Sequence, residues 1–388
     1  GVSITVDGDL FVVEGVGLRG LRMPSGALDC GNSGTTMRLI AGLLSAQHFG
    51  TRLTGDASLS RRPMKRIIDP LRARGANIAG TLRLESQELY PPLSVAPLLA
   101  SEALVGLEIE LPVASAQVKT ALLLSGLYAD GITAIAEPML SRDHTERMLV
   151  SLGAPLERLG SMLMLDPTEW SRTWPSFDWT MPGDFSSAAF LVTAGLLTGS
   201  SDLTIEDVGL NPTRTGFLDA LRPMGANVHA WPGREACADE PCGSVRIGAR
   251  PRLTSGRAGG ELTLRMIDEV PAFAAICARA TGTSEIRDAD ELRVKESDRI
   301  DATLETLRKF GVSCDELEDG MKVRGSETLR AATVDSRGDH RIAMMATCLG
   351  LVANGESVVE GAECIDVSFP GFVETLQSLG ADIRTEDA

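Results

Sequence analysis

Residues 291–311 read ELRVKESDRIDATLETLRKFG and pack Arg293, Lys295, Glu296, Asp298 and Arg299 into seven positions ahead of a helical stretch. Carboxylates interleaved with fixed cations can have their proton affinities pushed apart, which is what paired acid and base work requires. A charge run is more often a solvated face. This one lies at the mouth of a helix, in a segment whose partner helix opens with Asp268 and Glu269. A second group, LDCGNSGTTMRL (28–39), offers glycines, Asn32 and two threonines before a helix, with Arg38 one turn on. It has neither the P-loop spacing nor the dinucleotide fingerprint. Arg61 and Arg62 in TGDASLSRRPM (54–64) and Arg341 in GDHR (338–341) add permanent cations. Arginine grips carboxylate or phosphate bidentately, so the pattern suits a doubly anionic small substrate.

The elements that must position these groups recur. Five segments read as an amphipathic helix, a glycine and a short strand: 64–78, 145–159, 215–228, 299–314 and 372–383. Met64, Ile67, Ile68 and Leu71 form one apolar stripe, as do Ile300, Leu304 and Leu307. Gly75, Gly153, Gly225, Gly311 and Gly380 are expected in the left-handed conformation that ends helices. Pro70 and Pro223 are expected to interrupt two of the copies. GVSITVDGDLFVVEG (1–15) aligns with GVSCDELEDGMKVRG (311–325), so Gly1 would close a sixth copy whose helix lies outside the chain. Each repeat carries a second, mostly apolar helix opened by small or acidic residues: 31–44, 116–131, 183–197, 267–282 and 338–352. Such residues cap helices, and helix N-termini also hold anions. Six α/β units of this size divide into two domains, 1–180 and 181–388, joined at a Trp/Pro-rich stretch (169–184) and expected to face each other across a cleft.

A formal charge of −16 over 388 residues repels nucleic acid and anionic membrane surfaces. No apolar run is long enough to span a bilayer. The seven cysteines are scattered, and the nearest pair, Cys237 and Cys242, has no histidine ligand beside it, so free thiols and no metal site are expected.

GNSGTTMR, TGDASLSRRPM, YPPL (90–93), SAQVKTALLL (115–124), SRDHTERML (141–149), IDEVP (267–271), LRVKESDR (292–299), GDHRIAM (338–344) and SFPGF (368–372) occur in order from the first residue to about residue 380. Together they resemble the 5-enolpyruvylshikimate-3-phosphate synthases. The resemblance implies an α/β fold of two enolpyruvyl transferase domains, each of three βαβαββ repeats in an inside-out barrel, the first repeat incomplete here. It implies transfer of the enolpyruvyl group of phosphoenolpyruvate to the 5-hydroxyl of shikimate 3-phosphate by addition and elimination of phosphate, with no metal or organic cofactor. Carried over by motif, Ser115, Ala116, Gln117, Ser141, Arg142, Asp268 and Lys295 hold shikimate 3-phosphate. Asn32, Gly34, Arg62, Gln117, Arg299 and Arg341 hold phosphoenolpyruvate. Asp268 takes the 5-hydroxyl proton, and Glu296 and Lys295 serve proton transfer at the methylene. Gly34 further implies inhibition by glyphosate. A cytoplasmic monomer is expected, with the two substrates as its only partners.

Three departures stand out. Ala116 replaces a second serine common in the family, Val367 stands where many relatives have lysine, and the family's N-terminal Lys-Ser-x-x-x-Arg segment does not occur. The chain is therefore expected to be N-terminally truncated, with an inactive fragment as one alternative. The sibling enzyme acting on UDP-N-acetylglucosamine is another, but no cysteine lies in a loop matching the one that enzyme uses. An RNA-terminal phosphate enzyme is a third, disfavoured by the negative charge.

Overall fold

The computed structural model describes residues 1–199, 202–233, 239–249 and 252–386. It divides into two compact units, Gly1–Asp178 and Trp179–Ala388. Each is built by the same local grammar.

The first unit opens with an antiparallel hairpin of β1 (Ser3–Asp7) and β2 (Leu10–Glu14), every residue of which is exposed. Then come β3 (Leu28–Asp29), α1 (Gly34–Leu44), β4 (Thr51–Thr54), α2 (Lys65–Ala73), β5 (Ile78–Arg83) and β6 (Glu88–Val95), forming a sheet of order β3-β4-β6-β5. The next repeat runs β7 (Val105–Glu110), α3 (Ala116–Gly126), β8 (Asp130–Ala136), α4 (His144–Ser151), β9 (Leu156–Leu159) and β10 (Met162–Leu165), in the order β7-β8-β10-β9. In both, the first two strands pair in parallel across a helix and the last two add as an antiparallel hairpin. Parallel pairing requires a crossover, and α1 and α3 supply it.

In the second unit α5 (Phe185–Thr198), β11 (Asp202–Gly209), α6 (Gly216–Leu221), β12 (Val228–Pro232) and β13 (Cys242–Gly248) give the order β11-β13-β12, with a parallel bridge from Gly183 to Val208 at its edge. The following repeat is β14 (Arg257–Ala258), α7 (Glu261–Arg265), α8 (Val270–Cys277), β15 (Thr283–Ile286), α9 (Arg299–Lys309), β16 (Ser313–Leu317) and β17 (Gly320–Arg324), ordered β14-β15-β17-β16. Last come β18 (Leu329–Arg330), β19 (Thr333–Asp335), α10 (His340–Gly350), β20 (Ala353–Asn354), β21 (Val358–Glu360) and α11 (Phe372–Ser378), with β18 parallel to β20 and β19 parallel to β21.

The apolar helices are the cores. In the second unit α5, α8 and α10 are buried nearly all round, their Phe190, Phe273 and Met345 fully enclosed. In the first, α1 lies hard against α3: a Cβ on Gly42 would come within 2.3 Å of the Ala121 carbonyl oxygen. All five helix-ending glycines have positive φ, from +80° at Gly153 to +100° at Gly75. The two prolines behave differently. Pro223 enters a tight 3-10 turn (Arg222–Met224) that follows α6 and ends at Gly225. Pro70, expected to break its helix, sits inside α2. Burial of Ile67, Ile68, Pro70 and Leu71 on one face outweighs the one helical hydrogen bond that proline forgoes.

Among the described residues no helix is long and apolar enough to cross a membrane. The six described cysteines are free thiols, and no group of His, Cys, Asp and Glu able to hold a metal occurs among those residues. Cys237 lies outside the described residues.

Candidate active site

In the second unit the charge run turns inward at the start of α9. Asp298 caps the helix, accepting from the Ile300 and Asp301 amides. This fixes the next side chain, Arg299, which is 1% exposed. Its guanidinium gathers three carboxylates. Nε donates to Asp339 Oδ2 at 2.8 Å and Nη2 to Asp339 Oδ1 at 3.2 Å; Nη1 reaches Asp268 Oδ1 at 3.4 Å, and Nη2 also meets Glu296. Burial alone would weaken the guanidinium's hold on its proton, but Asp339, Glu296 and Asp268 more than reverse that. Burial would likewise raise the Asp339 carboxyl, yet Arg299 holds it down at about 2.

Asp268 lies in the 3-10 turn Ile267–Glu269 that leads into α8. Besides Arg299, its carboxylate faces Lys295 Nζ at 3.6 Å and Arg341 Nη2 at 3.9 Å, while Arg341 Nη1 donates to the Asp268 carbonyl at 3.0 Å. The adjacent Glu269 is fully buried and gathers the Ser186 hydroxyl, Arg214 at 3.4 Å and Arg341 at 3.9 Å. His340, first residue of α10, is driven down to about 4 by burial and then by Arg341 and Arg299. The sequence-chosen residues Asp268, Lys295, Glu296, Arg299 and Arg341 thus form one contact network. It holds two carboxylates, a lysine and two arginines within one small volume, groups able to move a proton beside a bound anion.

The first unit gathers a second network, on the N-termini of α1 and α3. Ser33 and Ser115 cap these helices, each hydroxyl oxygen accepting from the backbone three residues on. A capping serine keeps its own proton to donate. Arg62 Nη2 donates to Asn32 Oδ1 at 2.7 Å, and Asn32 Nδ2 donates to Asp56 at 2.6 Å. The Asp56 carboxyl lies below its ordinary range: burial would raise it, but hydrogen bonds from the Leu59 amide and Asn32 prevail. Gln117, second in α3, accepts from Arg38 and donates to Thr35. A Cβ on Gly34 would meet Arg38 Nη1 at 3.0 Å and Arg62 Nη1 at 3.3 Å, so Asn32, Gly34, Arg62 and Gln117 share one patch. Ser115 and Ala116 are half-buried beside it at the start of α3.

Ser141 lies behind that helix, 4% exposed, its hydroxyl turned to Glu137. Arg142 beside it is half-buried. Glu137 and Glu146 hold the fully buried Lys119 at 2.8 and 2.6 Å, and Lys119 also reaches the Ser141 carbonyl at 3.4 Å.

Sequence reasoning passed over Asp339, which anchors Arg299, and Glu137 and Lys119, which hold Ser141. Two of them had a signal. Lys119, one of five lysines, interrupts the apolar run AQVKTALLL, and Asp339 occupies the cap position of GDHR.

The family described as EPSP synthase (3-phosphoshikimate 1-carboxyvinyltransferase) matches residues 1–376. A 3-phosphoshikimate 1-carboxyvinyltransferase of Geobacter sp. (strain M21) is 45% identical over 380 residues, covering 98% of this chain and 85% of that protein. One of Pelotomaculum thermopropionicum is 47% identical over 378 residues, covering 97% and 84%. The solved structure of the EPSP synthase from Acinetobacter baumannii superposes with a TM-score of 0.83 at 38% identity, covering all of this chain and 86% of that one.

Proposed function

The chain belongs to the EPSP synthase (3-phosphoshikimate 1-carboxyvinyltransferase) family, and on that premise we propose that it joins phosphoenolpyruvate to shikimate 3-phosphate and assign the residues that do so. The 5-hydroxyl oxygen of shikimate 3-phosphate bonds to C2 of phosphoenolpyruvate as C3 gains a proton. The C2–O bond to phosphate then breaks, C3 loses a proton, and the enol ether and inorganic phosphate remain.

Residues 1–180 supply the groups that hold shikimate 3-phosphate, with Ser115, the Ala116 backbone, Gln117, Ser141 and Arg142. They also supply Asn32, Gly34 and Arg62 toward phosphoenolpyruvate. Residues 181–388 supply the acid–base groups. Asp268 accepts the 5-hydroxyl proton, Glu296 moves the proton at C3, and Lys295 offsets the charge that develops, while Arg299 and Arg341 meet the phosphoenolpyruvate anion. The observation that carries this reading is the convergence of Lys295, Arg299 and Arg341 on the Asp268 carboxylate, within 3.4 to 3.9 Å. Three cations gathered on one carboxylate offer an incoming anion fixed positive charge. In this reading the chain works in the cytoplasm as a monomer.

The test is to incubate purified protein with both substrates and follow phosphate release against enol ether formation by NMR. Equimolar appearance of the two is expected. Release with UDP-N-acetylglucosamine as acceptor, or none with shikimate 3-phosphate, overturns the reading.

A further inference from the structure

An amide side chain can present either an acceptor or a donor to a ligand, and its neighbours decide which. Gln117 has two described neighbours. Its Oε1 accepts from Arg38 Nη1 at 2.5 Å, and its Nε2 donates to Thr35 Oγ1 at 2.7 Å. A guanidinium carries donors only, so the end of the amide that faces Arg38 has to be the oxygen. The NH2 end then falls on the Thr35 side, with one hydrogen spent on the hydroxyl and a second to offer. Both phosphoenolpyruvate and the phosphate of shikimate 3-phosphate present acceptors alone. An amide turned the other way would set oxygen against oxygen.

Arg38 is well placed to enforce the orientation. It is 5% exposed, one turn into α1, and a further bond from Nη2 to the Pro63 carbonyl at 3.2 Å ties it to the segment that carries Arg62. Gly34 is what leaves room for it, since a Cβ there would press on Nη1 at 3.0 Å. The three residues form a line: Gly34 makes space for Arg38, and Arg38 orients Gln117.

We propose that Arg38 is a positioning residue that fixes the Gln117 amide with its N–H groups toward the anionic substrates. The proposal rests on the assignment of Gln117 to substrate binding made above. It differs from a role for Arg38 as one more cation gripping substrate, because its effect must pass through Gln117.

The experiment is a double-mutant cycle on kcat/KM with Arg38→Met, Arg38→Lys, Gln117→Leu and the combined variants. Arg38→Met is expected to lose about 10- to 100-fold, the scale of one hydrogen bond to a charged group. Arg38→Lys, which keeps a donor, should recover most of that. In the Gln117→Leu background the Arg38→Met loss should shrink to less than about threefold, as expected for residues that act as one unit. An equal loss in both backgrounds overturns the proposal. If Arg38→Met does not fold, Arg38→Ala and its Gln117→Leu double carry the same comparison, since alanine also removes the donor.

A second arm needs no turnover. In glutamine-labelled protein without substrate, the Gln117 side-chain amide pair is identified by its loss in Gln117→Leu. It should move toward solvent-like NMR shifts in Arg38→Met, and an unmoved pair there overturns the proposal. Wild-type protein that makes no enol ether sinks the assigned function alone, while the amide signals still decide the role of Arg38.

Discussion

Asp339 is a fully buried carboxylate that accepts from Arg299 through Nε and Nη2, from the Ser297 hydroxyl at 2.9 Å and from the Arg341 amide at 3.0 Å. Replacing it by asparagine keeps the shape and an oxygen for the helix cap but removes the charge facing Arg299. The carboxyl falls from 3.8 to about 2 on folding. That displacement corresponds to about 2 kcal/mol of stability at neutral pH, at roughly 1.4 kcal/mol per unit. Stranding one member of a buried pair typically costs about 3–5 kcal/mol, and Asp268 and Glu296 still face Arg299, so a loss of about 2–3 kcal/mol is expected. The sign with pH follows from the depressed folded value. The contribution is complete above the unfolded value near 4, is roughly halved by pH 3, and is lost as pH falls through about 2. Urea unfolding of wild type and Asp339→Asn at pH 7, 5 and 3 measures this directly. A gap below about 1 kcal/mol at pH 7, or one that fails to narrow by pH 3, refutes the reasoning. On the same preparations the KM for phosphoenolpyruvate should rise more than that for shikimate 3-phosphate, because Arg299 has lost its anchor.

Asp268→Ala and Glu296→Ala should each lower turnover by about 100-fold or more with an unchanged circular dichroism spectrum; turnover kept within about tenfold rejects the acid–base assignment. His340 is held down at about 4 when folded, so the unfolded chain takes its proton first and stability falls as pH drops from about 6.5 toward 4. His340→Gln should flatten the pH dependence of Tm across that window, and an unchanged slope counts against the burial argument. Gly34→Ala puts a methyl group 3.0 and 3.3 Å from the ends of two flexible arginines. Folding should survive, while the KM for phosphoenolpyruvate rises and glyphosate inhibition weakens, by about 1–3 kcal/mol of overpacking. Unchanged inhibition would exclude that view of the patch. Gly42→Ala drives a Cβ toward the Ala121 carbonyl and should lower stability by about 1–3 kcal/mol, read from thermal unfolding.

What could be read from sequence was whatever local rules decide. The apolar stripe of α2, the left-handed glycines from Gly75 to Gly380 and the small or acidic residues opening the buried helices each follow from backbone geometry within a few residues. Pro70 shows the limit of such rules, because a buried face can carry a helix through a proline. The hairpin of β1 and β2 carries Ile4, Val6, Phe11 and Val13, all more than half exposed, in the copy that the sequence reads as incomplete. The charged site was only partly visible. LRVKESDR advertised its composition, but which cation meets which carboxylate depends on strands and helices far apart in the chain: Arg299 finds Asp339 forty residues on. Lys119 on α3 meets Glu137, just past the end of β8, for the same reason. Roles for individual residues came from the family resemblance, since spacing alone cannot tell a clamp from a counterion.

The close approach at Gly42 has a mechanical consequence. With backbone against backbone, α1 cannot slide or rotate past α3 without opening a void, so the two helices move as one stiff body. Gly34 and Gln117 ride on the front end of that body, and so does Arg38 between them. Little conformational entropy is then left to lose there when a ligand arrives. Adjustment to different ligands has to come from the long side chains alone.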